Sequence, residues 1–112
     1  MTSRAVVNAL AALAQDSRLA VFRALVQAGP QGMAAGAIAK RTRIAPSSLS
    51  FHLKELNHAG LVKARQDGRF IFYSANFATM NAVLSYLTEN CCGGADCGVG
   101  QPVYESGRQE AS

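Results

Sequence analysis

Apolar side chains recur along most of the chain at the three-to-four spacing of helices that bury one face. Val6, Leu10 and Leu13 share a face of a helix predicted over residues 3–14. A second helix is predicted over 17–28. Asp16 is its expected N-cap, Leu19, Phe22, Leu25 and Val26 form its stripe, and Gly29-Pro30 stops it. An alanine-rich third helix follows over 33–42. Arg43-Ile44-Ala45 reads as a tight turn, and Pro46 suits the first position of a fourth helix that ends at Ala59-Gly60. The period then changes. Residues 61–65 and 69–75 read as short strands joined through Asp67-Gly68, a strong hairpin signal. A last helix, over 77–91, carries Phe77, Met80, Leu84 and Leu87 on one stripe, with Val83 beside it.

Two short helices joined by a tight turn and followed by a hairpin spell a winged helix-turn-helix, mainly α with a β-hairpin wing, in the order α-α-α-α-β-β-α. Residues 1–92 are expected to form this DNA-binding and dimerisation domain. Residues 93–112, rich in Gly and polar residues, are expected to form a flexible tail that carries Cys97, with much of 98–112 disordered. A length of 112 residues suits one domain, and 49% hydrophobic residues supply a core. A domain this small leaves apolar faces over, which favours a homodimer. These figures exclude a multidomain enzyme, a fibrous protein and a disulfide-stapled secreted scaffold. No run of 18 apolar residues occurs, so no membrane span is expected. The alanine-rich start flows into a second helix, unlike a signal peptide, and clustered thiols fit a reducing compartment, so the expected location is cytoplasmic.

The charge sharpens this picture. Net charge is +4, but residues 40–69 alone hold seven of the eleven Lys and Arg residues against two acids, Glu55 and Asp67. The basic character is focused on the helix-turn-helix and hairpin, as a nucleic-acid footprint would be. In the fourth helix, Leu49, Leu53 and Leu56 mark the buried face, and Ser47, Ser50, Phe51, Lys54 and His58 lie opposite. The two small serines permit close approach and can bond bases or phosphates. An outward Phe51 either contacts a thymine methyl or packs on a neighbouring segment. His52 lies at the edge of the core face and reads as a structural histidine bonded to backbone or to another helix. The hairpin arginines either follow a DNA backbone or form an ordinary solvated turn. The predicted DNA-contact set is Lys40, Arg41, Arg43, Ser47, Ser48, Ser50, Phe51, Lys54, Arg65 and Arg69.

All three cysteines fall within one short segment, Cys91-Cys92-Gly93-Gly94-Ala95-Asp96-Cys97. Cys91 is expected to continue the last helix, and Gly93-Gly94 lets the chain turn so that Cys97 can fold back over the pair. A structural zinc site wants four ligands, and Asp96 or Glu89 can supply the fourth, so a repressor responsive to zinc, cadmium or another soft metal stays open as an alternative. Trivalent arsenic or antimony instead takes three sulfurs in a pyramid, and three thiolates cancel its charge. Redox-active thiols, or thiols with no ligand, are the alternatives. A thiol enzyme such as an arsenate reductase fits poorly, because no oxyanion loop or catalytic base is evident near the cysteines.

Gln15-Asp16-Ser17-Arg18-Leu19, the SSLSFHL stretch from Ser47 to Leu53, Ala59-Gly60-Leu61-Val62 and the Gly68-Arg69 wing together resemble the ArsR/SmtB-type winged-helix repressors, over about residues 5–90. The resemblance implies a homodimer joined through its first and last helices, here through Val6, Leu10, Leu13, Met80, Val83, Leu84 and Leu87. It also implies binding to double-stranded, palindromic operator DNA and release when an ion binds. Two of the family's ion sites are absent: residues 34–40 hold no cysteine pair, and residues 74–89 hold no histidine. Cys91, Cys92 and Cys97 are instead similar to the arsenite site at the C-terminal end of some members. The implied function is an As(III)-responsive repressor, with Sb(III) as a possible second inducer and no catalytic cofactor.

Overall fold

The computed structural model describes residues 1–94. Helix α1 (Ser3–Leu13) starts where the Thr2 hydroxyl accepts the Ala5 N–H at 3.1 Å. Helix α2 (Asp16–Ala28) begins one residue earlier than its pattern suggests. Gln15, rather than Asp16, is the N-cap, and its side-chain oxygen accepts the Arg18 N–H at 2.8 Å. Gln15 has the extended backbone a cap requires, whereas Asp16 is already helical. The Arg18 Nε then donates to the Ala12 carbonyl at 2.7 Å and ties α2 to the end of α1.

A two-residue strand, β1 (Met33–Ala34), stands where the sequence suggests the start of the third helix, so helix α3 is shortened to Ala35–Thr42. Helix α4 (Pro46–His58) opens with Pro46 in its first turn, as expected. Strands β2 (Val62–Asp67) and β3 (Phe70–Ala75) form the hairpin. The sheet is antiparallel in the order β1-β3-β2. Asp67 pairs with Phe70, which leaves Gly68-Arg69 as the two-residue turn, one position later than Asp67-Gly68. Gly68 has φ +63°, the conformation a type II′ hairpin needs at its first central position.

Helix α5 (Phe77–Thr88) is capped by the Asn76 side chain, which accepts the Thr79 N–H at 3.3 Å. It ends three residues before Cys91, so Cys91 does not continue its stripe. The chain leaves the helix at Glu89, Asn90 turns left-handed at φ +57°, and Cys91–Gly94 form a short 3-10 turn.

The core unites α1 (Val6, Ala9), α2 (Val21, Phe22, Leu25), α3 (Ile38), α4 (Leu49, Leu53, Leu56), Leu61, Val62, Ala75 and α5 (Val83). The α4 face marked by its leucines is therefore the buried one. Val6 and Val83 are also part of this core. This chain's own packing already covers both side chains. Leu13 and Met80 are partly buried against the core, whereas Leu10, Leu84 and Leu87 remain exposed. Among the described residues no single helix is long and apolar enough to cross a membrane.

Candidate nucleic-acid interface and thiol pair

Helices α3 and α4 are joined by a turn that forces a non-glycine residue into the left-handed region. Arg43 caps α3 at φ +61° and ψ +30°. The Arg43 side chain stays exposed, while Ile44 turns inward to pack on the core. No side chain caps α4 at Ala45, so the first-turn N–H groups remain available to an acceptor from outside. The same turn exposes Ser47 and Ser48, and the next exposes Ser50, Phe51 and Lys54. Phe51 is 56% exposed and meets the adjacent His52 ring edge-on, at 5.9 Å between centroids. Among the described residues no neighbouring segment buries it. The structural bond expected of His52 is not made at Nδ1, which is shut off from solvent and has no hydrogen-bond partner among the described residues. His58 is exposed, as its helical position suggests.

Lys40, Arg41 and Arg43 lie exposed around the end of α3. Arg41 donates to the Gln27 side chain and so leans toward α2. On the hairpin, the register places Lys63, Arg65 and Asp67 on one face with Phe70, Phe72 and Ser74. Tyr73 and Ala75 point the other way, into the core. Arg65 is drawn back along this outer face. Its guanidinium sits 5.2 Å over the Phe72 ring, and Nη2 donates to the Gln31 carbonyl at 3.5 Å. Arg69, in the turn itself, is the arginine that stands at the tip. Sequence reasoning missed Phe70 and Phe72 as surface groups. Strict alternation from the buried Ala75 would have placed both on the outer face.

Beyond α5, the Cys91 and Cys92 sulfurs lie 3.6 Å apart. Cys91 is half-buried and Cys92 exposed. Cys92, Gly93 and Gly94 all have positive φ, so the backbone curls tightly after α5. Cys97 lies outside the described residues, as does the tail expected to be disordered. Among the described residues no three metal-binding side chains gather. Along α5, Leu84 and Leu87 line an apolar groove of about 370 Å³ with Leu10 and Leu13 of α1 and with Leu19, Phe22 and Val26 of α2.

An exposed, serine-rich helix behind a tight turn, beside a basic hairpin, defines a winged helix-turn-helix DNA-binding domain. Comparison with known proteins agrees. A helix-turn-helix domain family matches residues 13–65. The chain is 34% identical to the nodulation protein NolR of Rhizobium meliloti, over 71% of this chain and 63% of that protein's length. It is 33% identical to YceK, an uncharacterized HTH-type transcriptional regulator of Bacillus subtilis, over 70% of this chain and 77% of YceK. Among solved structures, an ArsR-like transcriptional regulator from Rhodococcus superposes with a TM-score of 0.69 at 25% identity, covering 81% of this chain and 82% of its own. The homodimeric winged helix-turn-helix domain of Mb0332 from Mycobacterium bovis, a possible ArsR-family regulator, gives 0.59 at 27% identity, covering 79% and 92%. The chain belongs to the HTH-type transcriptional regulators, which are DNA-binding proteins rather than enzymes, and its fold is that of ArsR-family winged-helix regulators.

Proposed function

We propose that this regulator is a homodimeric, cytoplasmic repressor that leaves its operator when As(III), or Sb(III), is bound by Cys91, Cys92 and Cys97. The observation that carries the reading is the 3.6 Å approach of two sulfurs immediately beyond α5. At a bond length of about 2.3 Å, typical of a thiolate–metal bond, two such sulfurs share one centre with an angle of about 100°. That angle suits a three-coordinate pyramid whose third sulfur is supplied by Cys97, five residues along the chain. Binding is an exchange without electron transfer: three thiols lose their protons, and three hydroxyl groups leave arsenous acid as three waters. The attacking species is the thiolate, so the rate of uptake rises with thiolate population.

Dimerisation follows from the apolar groove between α1, α2 and α5. Leu84 and Leu87, 52% and 57% exposed, form its open edge with Leu10. A second copy related by a two-fold axis covers both edges at once and presents two α4 helices to a palindromic duplex.

The test is a fluorescence-anisotropy titration of reduced protein against promoter DNA, with arsenite, zinc and peroxide added separately. Release by arsenite alone, lost in Cys92→Ser while DNA binding survives, supports the proposal. Release by peroxide alone makes the thiols a redox switch. Release by none removes the cysteines from the function.

A further inference from the structure

The hairpin carries a feature that DNA binding by charge does not use. Phe70, 63% exposed, is the most exposed large apolar side chain of the described residues. It follows the tip residue Arg69 directly, and the register sets it on the outer face beside Phe72, with ring centroids 6.4 Å apart. That face also holds Lys63 and Arg65 from the adjacent strand, with Asp67 opposite Phe70 as its one acid. With Arg69, the hairpin sets three cations against one carboxylate around an aromatic row. Arg65 is held by the Phe72 ring and the Gln31 carbonyl, which fixes Phe72 while leaving Phe70 open.

We propose that Phe70 is a DNA-contact residue: an apolar wedge that the wing inserts into the minor groove at the flank of the operator, while Arg69 and Lys63 hold the adjacent phosphates. A solvated hairpin gains nothing from an aromatic ring at its tip, because the ring costs hydrophobic free energy wherever water covers it. A cationic face with an aromatic at its leading edge matches duplex DNA on two counts. The charges match the phosphates, and the ring fits between sugars or at a base step that unstacks readily. Such a wedge adds preference for flexible steps without a hydrogen bond to any base. The inference rests on reading the hairpin as a wing that touches DNA.

The two ideas are separable by experiment. Duplexes selected from a random-sequence pool by the wild-type protein serve as the probe, and affinity is followed over a range of salt. Phe70→Ala is expected to weaken binding about tenfold, the effect of re-exposing most of one aromatic side chain. Its log affinity against log salt keeps the wild-type slope, because no charge is lost. Phe70→Leu recovers part of the loss. Arg69→Ala instead flattens the slope by about one. A 2-aminopurine placed at the flanking step brightens on binding of wild type and stays dim with Phe70→Ala. If Phe70→Ala binds as wild type while Arg69→Ala weakens, the wing touches DNA but Phe70 does not, and the wedge is overturned. If neither variant weakens binding, the wing reading itself fails. A slope change in Phe70→Ala also overturns the proposal, since it would mean that the ring only positions the charges. Phe70 is exposed, so matching thermal melts for each variant check that the fold is intact.

Discussion

Gly32→Ala tests the junction that attaches the wing to the body. Gly32 has φ +75°, and a Cβ built there would meet the Tyr73 carbonyl oxygen at 2.2 Å and its carbon at 2.8 Å. Both atoms are backbone in the central strand of the sheet, so no flexible side chain can yield. The left-handed conformation alone costs a non-glycine residue about 1–2 kcal/mol. Relieving the clash must also push β1 from β3, breaking the Met33–Tyr73 and Ala34–Phe72 pairings that hold this edge. The combined loss is expected to reach about 3–4 kcal/mol, a large share of the ~5–15 kcal/mol typical of a domain. Two glycines calibrate the effect. Gly29 has φ +84° but open space around it, so Gly29→Ala is expected to lose only the conformational part. Gly36 lies within α3 with open space and no positive φ, and Gly36→Ala is expected to gain about 0.5–1 kcal/mol. Urea unfolding of all three at one protein concentration gives the comparison, since a dimer's stability depends on concentration. A Gly32→Ala loss no greater than that of Gly29→Ala would refute the close backbone approach and, with it, the role of β1 in anchoring the wing.

Two further outcomes follow from the surfaces. Lys54→Ala, on the exposed face of α4, is expected to weaken binding to all sequences nearly equally and to lower the salt slope by about one, read by anisotropy at several salt concentrations. Leu87→Glu combined with Leu84→Glu is expected to give a folded monomer by light scattering, because both side chains are exposed at the edge of the apolar groove. Persistence of a dimer would place the interface elsewhere.

The helices and hairpin were legible because their signals are local: apolar period, Pro46 at a helix start, a glycine at a two-residue turn. What escaped depends on contacts between distant segments. Strand β1 is two residues long and exists only because β3 lies beside it, so no periodicity can announce it. The α5 stripe runs as far as Leu87, but the helix stops at Thr88 because Glu89 turns extended at ψ +127°, and Cys91 then hangs off a curl rather than a helical face. Val6 and Leu10 sit one turn apart on the same stripe. Only packing decides that the first is covered by this chain and the second is left open. Periodicity names an apolar face but not what covers it. The α4 surface was read from its leucines alone because a helix with three core contacts fixes the direction of every other side chain. The thiol cluster was legible as composition; its third member lies outside the described residues.

The position of the sulfurs bears on how release would work. Val83 is locked into the same core as Phe22 of α2 and Leu53 of α4, and a close-packed core resists small displacements. A ligand gathering the chain beyond Thr88 pulls on the free end of α5, where Leu84 and Leu87 face the groove rather than the core. The compliant part is therefore the surface proposed to meet a second copy. Drawing three thiolates together is expected to change the pose of two chains, and with it the spacing of two α4 helices, more than the packing of α4 within one chain. A hundredfold loss of operator affinity needs a coupling of about 2.7 kcal/mol, within the usual range for allosteric sites. The monomeric Leu84→Glu, Leu87→Glu variant separates the routes. Bound to a half-site duplex, it is expected to take up arsenite, seen by loss of titratable thiols, with no change in DNA affinity. If arsenite still weakens half-site binding, the signal passes inside the chain from α5 through the core to α4, and the inter-chain route is refuted.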